Sequence, residues 1–481
     1  MKKVSYFSEL YDEKTRLEND KLILKSEVNR LKGLVNNLNW QNTELANKLK
    51  SKRYFVTDCF VDTAYKLLKK KTKKQLLIEN RVVLPEDRES RGDMDSDTTV
   101  RERDVRKIVK NKVSIINFNF YDWDGKIVYK GGAERYVYDL ACILKEMGFS
   151  PQILQCSNVP FKKKFRGIDV IGVGKGDRYD VREDSKIFNY YCSDCEFVIA
   201  SPFKLACEIK NIPVIGINHG VDFDADWNRN YYNYDDRNRD LVDALKNVRK
   251  CVCVDTNFIN WTRSIDYVLS MKEEYIPNYY DEKSFGMNCE KEKDSDKVVF
   301  VYPRRIYEAR GADITIRAFK RLLPKYKDRV SVRFVGQFES GRCEKALKDL
   351  MDKFPNNVER VEYDMRDMVK AYEGADVALI PTRYCEGTSL SCIESMAMGC
   401  AVIATNVGGL PNLVIDGYNG LLISPTTDDL SDAIEKLINN KGTINIMGKN
   451  GHNICVNAFT KNVWTERWKK VINDTVLNIR K

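Results

Sequence analysis

The chain has 481 residues, of which 43% are hydrophobic and 11% aromatic, so it is long enough for two or three domains with a large core. Its formal net charge is +10, but the excess is uneven. Residues 1–112 carry 27 Lys and Arg against 18 Asp and Glu, whereas the other 369 residues carry 53 against 52. Because the larger part is electrically balanced, we do not expect it to bind nucleic acid through a basic face.

The apolar stretches are all shorter than the ~18–20 residues of a membrane-spanning helix, and the first residues lack the apolar core of a signal peptide. We therefore expect a cytoplasmic protein, with the inner face of the membrane as its alternative location. The 14 cysteines are too few for a disulfide scaffold and lie largely in apolar runs, which indicates reduced thiols. Cys192 and Cys195 form a CxxC pair without further ligands at metal spacing, so thiols are favoured over zinc.

Leucines recur at every seventh residue near the N terminus: Leu10, Leu17, Leu24, Leu31, Leu38 and Leu45. With these at d positions, acidic g residues face lysines at e, and the a positions hold Lys14, Lys21, Val28, Val35, Asn42 and Leu49. The pattern predicts a parallel homodimeric coiled coil over 8–52. The alternative is an amphipathic helix that packs on the globular part of its own chain.

The next segment, 53–111, reads as a basic helix followed by a flexible linker. Within 54–74 an apolar stripe accompanies a run of lysines without an acid: Lys66, Lys69, Lys70, Lys71, Lys73 and Lys74. At roughly 1 kcal/mol per lysine, this segment could hold the protein on an anionic membrane, but a solvated basic helix or a weak polyanion patch fits equally well. Residues 85–99 have no apolar period and are typical of a linker.

From Val113 onward, short β-branched runs alternate with helical patterns. The predicted strands fall into two series: 114–120, 151–156, 197–200 and 214–218, and then 298–302, 330–335, 377–380 and 401–404. This alternation predicts an α/β fold with two doubly wound, Rossmann-like domains, over 112–280 and 281–460. Ligands bind at the carboxyl ends of such strands, so we expect the active site between the domains. A helix over 461–481 completes the chain.

Three segments could bind anionic or hydroxyl groups. Gly131-Gly132 opens the first helix, where free N–H groups can meet an anion, although taken alone the motif is better explained as a simple turn at a helix start. Segment 303–311 places arginines at a strand end, where guanidinium groups can grip a diphosphate. In segment 381–399, Glu386 lies in a loop and Glu394 lies eight residues later in a helix, so two carboxylates flank a helix start.

On these motifs the chain from about 113 to 460 resembles the retaining nucleotide-sugar glycosyltransferases of the group that includes glycogen synthases and bacterial mannosyl- and rhamnosyltransferases. Glu386 and Glu394 match the E-x7-E motif of that group, and 407–411 and 416–422 add further similarity. The resemblance implies the GT-B fold, with the first domain binding the acceptor and the second binding the nucleotide sugar. It also implies that the helix over 461–481 packs back on the first domain. It implies no cofactor beyond this donor substrate.

The resemblance also implies residue roles. Glu386 would contact the donor sugar, Glu394 the nucleotide ribose, and Arg305 the diphosphate. Arg310 stands where the group normally has lysine, which keeps the charge but not the point geometry. The other implied donor-site residues are Gly132, Gly387, Thr388, Ser389 and Leu390.

His219 resembles the active-site histidine of that group, although a lone histidine can also be structural. The implied reaction keeps the anomeric configuration and needs no metal, because arginines and amide dipoles stabilise the leaving diphosphate. Asp122 and Asp124 imitate a DxD metal motif, but we expect an acceptor-side or simply polar turn there. The rival functions are a dimeric scaffold with a degenerate transferase domain and a GT-B sugar-nucleotide epimerase, which needs no acceptor.

The heptads generate a direct prediction. We expect a peptide of residues 1–52 to sediment as a dimer at micromolar concentration, because the d-position leucines are buried only in a pair. Equilibrium ultracentrifugation measures this, and a monomer would refute the coiled coil. Replacing Leu24 and Leu31 with alanine provides the matched control and should abolish association.

Overall fold

The computed structural model describes residues 108–129, 131–174, 180–220, 234–286, 297–364 and 367–480. The predicted coiled coil over 8–52 lies outside these described residues. So does the predicted basic helix and linker over 53–111, apart from its last four residues. Among the helices in the described ranges, none is both long enough and apolar enough to cross a membrane.

The first domain is built on one sheet. Its strands are β1 (Lys112–Asn117), β2 (Ser150–Gln155), β3 (Pro160–Phe165), β4 (Ile168–Val173), β5 (Phe197–Ser201), β6 (Val214–Asn218), β7 (Lys250–Cys253) and β8 (Glu273–Tyr275). They lie in the order β3-β4-β2-β1-β5-β6-β7-β8. β3 and β4 are antiparallel, and the other neighbours are parallel.

Helices cover both faces of this sheet, as parallel sheets require. They are α1 (Gly132–Glu146), α2 (Val181–Tyr191), α3 (Tyr234–Asn247), α4 (Thr256–Ile265) and the short α5 (Tyr267–Ser270). Ile115 and Ile116 are adjacent on β1 and pack into different hydrophobic clusters, one on each face. The apolar run of β1 is therefore explained by burial on both sides.

The second domain repeats this plan with a sheet in which every pair is parallel. Its strands are β9 (Val298–Tyr302), β10 (Val330–Val335), β11 (Val358–Val361), β12 (Val377–Ile380), β13 (Ala401–Thr405) and β14 (Gly420–Ile423). Their order is β11-β10-β9-β12-β13-β14. The helices are α6 (Ala312–Tyr326), α7 (Gly341–Lys353), α8 (Val369–Tyr372), α9 (Leu390–Ala397), α10 (Thr427–Asn439) and α11 (Lys441–Ala458).

The last helix, α12 (Lys461–Arg480), returns to the first domain. Trp464 and Trp468 are buried and contact Tyr136 of α1 edge to face. The indole Nε1 of Trp468 also donates to the Tyr136 hydroxyl at 2.8 Å. Helix α12 therefore packs on α1 of the first domain.

Many of the strands predicted from the sequence occur with little or no change in bounds. β6, β9, β10 and β12 match the predictions, and α1 begins at Gly132, in the glycine segment that was expected to open the first helix. The predictions missed the hairpin of β3 and β4, and also β7, β8, β11 and β14. β3 reads Pro-Phe-Lys-Lys-Lys-Phe with its lysines exposed, which suits a protected sheet edge but hides the strand signal.

The packing of α12 predicts a large effect of one substitution. Trp468→Ala should lower the free energy of unfolding by about 3–5 kcal/mol, because it empties a fully buried site and leaves the Tyr136 hydroxyl without its donor. Urea unfolding followed by circular dichroism measures this change. Lys470→Ala, on the exposed side of the same helix, should change the midpoint little. Equal effects of the two substitutions would contradict the described packing.

Candidate active site

Glu386 lies in the loop between β12 and α9 and is 7% exposed. Its Oε2 accepts hydrogen bonds from Arg310 Nη1 at 2.5 Å, from the Thr382 hydroxyl at 2.8 Å and from Arg304 Nη2. Burial alone would raise the pKa of this carboxyl, but the charges of Arg304 and Arg310 outweigh burial and lower the pKa below its usual value. Glu386 is therefore held as an anion between two guanidinium groups.

Glu394 lies in α9 and is 5% exposed. Its Oε1 accepts from Arg135 Nη1 at 3.1 Å, and its Oε2 accepts from the Tyr372 hydroxyl at 2.9 Å. Burial raises the pKa of Glu394, and the charge of Arg135 and the Tyr372 hydrogen bond only partly oppose this. Arg135 belongs to α1, so this ion pair joins the two domains.

The turn at the start of α1 faces the start of α9. A Cβ on Gly132 would lie 2.7 Å from Leu390 Cδ1. A Cβ on Gly131 would lie 2.3 Å from Glu134 Oε2, so the Glu134 carboxylate folds back over this turn. It accepts hydrogen bonds from the Gly131 and Glu134 backbone, and burial raises its pKa nonetheless. A carboxylate of the chain thus occupies the predicted anion site.

His219 follows β6, so it lies on the first-domain side of the cleft. Its Nε2 lies 2.9 Å from the Ser201 hydroxyl, and its ring contacts Tyr136 edge to face at 5.3 Å. The backbone beside it touches the Glu386 loop, because a Cβ on Gly387 would lie 2.4 Å from the His219 carbonyl oxygen. Gly220 faces Gly387 with φ +71, a conformation that glycine adopts without strain. The two domains therefore meet here backbone to backbone.

Thr388 connects this loop to the chain between the domains. Its hydroxyl donates to the Val254 carbonyl at 2.8 Å and accepts from the Asn278 backbone N–H at 2.8 Å. Asn278 Nδ2 in turn donates to the Thr388 carbonyl at 2.6 Å. Ser389, which is 4% exposed, precedes the first residue of α9, Leu390. Gly387, Thr388, Ser389 and Leu390 thus shape the loop and helix start between the two glutamates.

Arg305 lies apart from this cluster. Its side chain is exposed, pairs with Glu339 at 2.7 Å and lies over the Tyr307 ring at 5.6 Å. It is nevertheless near enough to Glu134 to oppose the rise in the pKa of that carboxyl. The buried neighbour Arg304 is the residue that joins Glu386. Sequence reasoning chose the second arginine of this pair, although the first was the one directed inward.

Arg135, Thr382 and Tyr372 are the other site residues that the sequence analysis did not select. Arg135 lies one turn into α1, three residues after Gly132. Its closeness to the predicted anion site was the sequence signal that could have identified it. Thr382 and Tyr372 carried no signal, since their roles depend on how α8 and the loop after β12 pack around the glutamates.

The side chains of two other sequence motifs make contacts within the first domain. Asp122 accepts from the Lys126 backbone, and Asp124 accepts from Asn158 Nδ2 at 2.8 Å, so both stabilise one turn. Cys195 Sγ lies 3.1 Å from the Ser114 hydroxyl in the buried core. In the part of the chain that the structure describes, no group of three His, Cys, Asp or Glu residues is placed to hold a metal ion.

Asp255 lies beside the backbone contact between the domains. Its Oδ1 caps α4 by accepting from the Asn257 and Phe258 N–H groups, at 2.8 and 3.3 Å. Its Oδ2 is buried without a partner and lies against Gly220. Burial raises the pKa of Asp255 to about 6.

Comparison with known proteins finds sequence similarity that is concentrated in the second domain. Residues 288–454 match the family model of group 1 glycosyl transferases. An uncharacterized glycosyltransferase of Methanocaldococcus jannaschii is 28% identical over 61% of this chain and 78% of its own length. D-inositol 3-phosphate glycosyltransferase of Kribbella flavida is 32% identical over 32% of this chain and 38% of its own length. The chain spans less than half the length of most of the curated relatives it matches.

Solved structures share the fold. Sucrose-phosphate synthase from Thermosynechococcus elongatus superposes with a TM-score of 0.61, at 17% identity, over 76% of this chain and 98% of its own. Anabaena HepE in complex with UDP-glucose superposes with a TM-score of 0.58, at 14% identity, over 76% and 99%. The predicted GT-B fold of two α/β domains is confirmed.

The environment of Asp255 predicts a pH-dependent stability. Because its folded pKa of about 6 exceeds its ordinary value of 3.8, its contribution is greatest below about pH 4 and is lost as the pH rises through about 6. Asp255→Asn, which keeps the capping oxygen, should gain stability over the parent by up to about 3 kcal/mol between pH 4 and pH 7. Denaturant unfolding at several pH values measures this difference.

Asp266→Asn provides the matched control, since Asp266 also caps a helix start but is exposed. It should not reproduce this pH-dependent gain. Parallel stability curves for Asp255→Asn and the parent across this pH range would show that the burial of Asp255 has no such effect.

Proposed function

We propose that the chain is a retaining glycosyltransferase that moves a hexose from a nucleoside-diphosphate sugar to a hydroxyl group of a glycan or lipid-linked glycan. The observation that carries this proposal is the pair of buried glutamates around the start of α9, each ion-paired to arginine in a cleft between two parallel sheets. Carboxylates accept hydrogen bonds from hydroxyls, and guanidinium groups bind phosphates. The cleft therefore suits a ligand that has both groups.

In this proposal Glu386 accepts hydrogen bonds from the donor sugar and Glu394 accepts them from the ribose. Arg304 and Arg310 each have N–H groups beyond those directed at Glu386, so they can contact the diphosphate as well. Relatives of the same fold have been solved with UDP and with UDP-glucose, which supports a nucleoside-diphosphate hexose as the donor class here.

The proposed reaction breaks the bond between the anomeric carbon and the phosphate oxygen and forms a bond from that carbon to the acceptor oxygen. Attack occurs on the face from which the diphosphate leaves, so the configuration is retained. The acceptor proton passes to the departing phosphate oxygen. Negative charge grows on the diphosphate during this step, and the nearby arginines stabilise it because they are already oriented. In this scheme the chain's own cations perform the role that a divalent metal performs elsewhere.

The side chains also favour an enzyme over a scaffold with a degenerate domain, because both glutamates retain their cationic partners. Dimerisation through 8–52, contact of 54–74 with an anionic membrane and a cytoplasmic location are part of the proposal and rest on sequence patterns.

A donor screen tests the proposed function. We expect the full chain to release nucleoside diphosphate from one of UDP-glucose, UDP-N-acetylglucosamine, ADP-glucose or GDP-mannose when a hydroxyl acceptor is present. Glu394→Ala and Glu386→Gln should each lower kcat/KM at least roughly tenfold, the effect of losing a hydrogen bond to a charged group. Product release is measured by a coupled assay, and the anomeric proton of the first product is read by NMR.

Glu344→Gln is the control, because Glu344 lies on the exposed side of α7 and pairs with Lys348. It should leave kcat/KM unchanged. Failure of every nucleotide sugar to bind, or parent-like turnover by both glutamate variants, would refute the transferase. A new sugar nucleotide formed without an acceptor would indicate the epimerase, and an inverted anomeric centre would refute retention.

A further inference from the structure

Arg135 is a cleft residue whose role the proposed function leaves open. It lies in the first turn of α1, and its Nη1 donates to Glu394 Oε1 at 3.1 Å across the boundary between the domains. The side chain of Arg135 is 18% exposed and that of Glu394 is 7% exposed. The two partners belong to different domains, so the contact exists only while the domains are together.

The Arg135 guanidinium is held from its other side. It lies over the Tyr279 ring, 5.5 Å from the ring centroid. The Tyr279 hydroxyl donates to Asp139 Oδ2, and Lys461 Nζ lies 2.9 Å from Asp139 Oδ1. The segment between the domains and the start of α12 therefore fix the orientation of this arginine.

Glu394 is likewise held at both oxygens, since Tyr372 donates to Oε2. Each carboxylate oxygen has a second lone pair, so Arg135 and Tyr372 orient the group without filling it. Arg135 Nη2 is also buried without a hydrogen-bond partner, which leaves one donor beside the carboxylate. The cluster combines an oriented acceptor with an unused donor, and a pair of neighbouring hydroxyls could use both.

We propose that Arg135 is a positioning residue for nucleotide recognition: it orients the Glu394 carboxylate toward the ribose hydroxyls of the donor only when the first domain closes on the second. This inference rests on the proposed function, since it assigns the ribose to Glu394. The inference adds that Arg135, a residue of the first domain, contributes to the selection of the nucleotide. Domain closure and ribose recognition then become one event.

A purely structural ion pair makes a different prediction. If Arg135 only clamps the domains, its removal weakens every cleft ligand by the same factor. If it positions Glu394, its removal weakens chiefly the ligands that have ribose hydroxyls. The distinguishing quantity is therefore the preference for a ribonucleotide over the same nucleotide without those hydroxyls.

Isothermal titration of the full chain with UDP, ADP and GDP, each against its 2′,3′-dideoxy counterpart, measures this preference. We expect the parent to prefer at least one ribonucleotide by roughly 10–100-fold, as for hydrogen bonds to a charged group. Arg135→Gln should reduce this preference to less than about threefold, as Glu394→Ala should. The double variant should lose no more than either single variant, because the two residues act as a unit.

Arg135→Lys keeps the charge and should retain part of the preference, so it also provides a test if the glutamine variant folds poorly. Arg317→Gln, at an exposed ion pair on α6, should behave like the parent. An undiminished preference in both Arg135 variants, or an equal loss of affinity for ribo- and dideoxynucleotides, overturns the inference. Failure of the parent to bind any of the nucleotides would instead refute the proposed function.

The pH dependence of ribonucleotide affinity provides an independent test. The charged and titratable groups that face this pair are Tyr372 on α8, Tyr279 between the domains, Asp139 on α1 and Lys461 on α12. Because burial already raises the pKa of Glu394, loss of the Arg135 charge should raise it further. Ribonucleotide affinity of Arg135→Gln should then fall more steeply than that of the parent as the pH is lowered from 8 to 6. Parallel profiles would count against the inference.

Discussion

A carboxylate that leaves water must either pair with a positive charge or take up a proton, and pairing with arginine organises the cleft. Glu386 and Glu394 are both buried, and each is paired with arginine rather than with solvent. The partners of Glu386 come from its own domain, whereas the partner of Glu394 comes from the other domain. The charge of Glu386 is therefore neutralised within the second domain. The charge of Glu394 is neutralised only when the two domains are in contact.

Neutral contacts set the distance at which these charges meet. Gly220 and Gly387 allow two backbones to touch, and Asn278 fastens the Glu386 loop to the chain between the domains. On the same side, Thr256 and Asn412 exchange two hydrogen bonds between the domains, at 3.0 and 2.7 Å. Such close backbone contact leaves no room for side chains, so the geometry of the ion pairs is fixed by the main chain.

The α/β class and many of the central strands were predictable because buried parallel strands are short, apolar and β-branched. β9 and β12 have such sequences and were placed correctly. β3 was missed because an edge strand can consist largely of lysine. Within the site, Glu394 was expected in a helix eight residues after Glu386, and it lies in α9. Its partnership with Arg135 did not, since the two residues are 259 positions apart and no local pattern links them.

The choice between Arg304 and Arg305 shows a related limit. Adjacent residues at a strand end point in opposite directions, and the direction depends on the turn that follows. Here the Tyr302 hydroxyl lies 3.2 Å from the Arg305 carbonyl and 3.0 Å from the Arg310 carbonyl, so its single O–H can donate to either and helps to hold that turn. Sequence alone shows that guanidinium groups are available there, but tertiary contacts decide which one enters the cleft.

The Glu134 carboxylate lies over the Gly131 turn and accepts hydrogen bonds from the backbone N–H groups there. An anion that arrives at this turn must displace that carboxylate, so its binding energy is the difference between two similar interactions. A small ion such as inorganic phosphate gains little from the exchange. In the proposed function, a donor that also reaches Arg310 and the two buried glutamates would gain more from the exchange, so Glu134 would disfavour small anions that contact this turn alone.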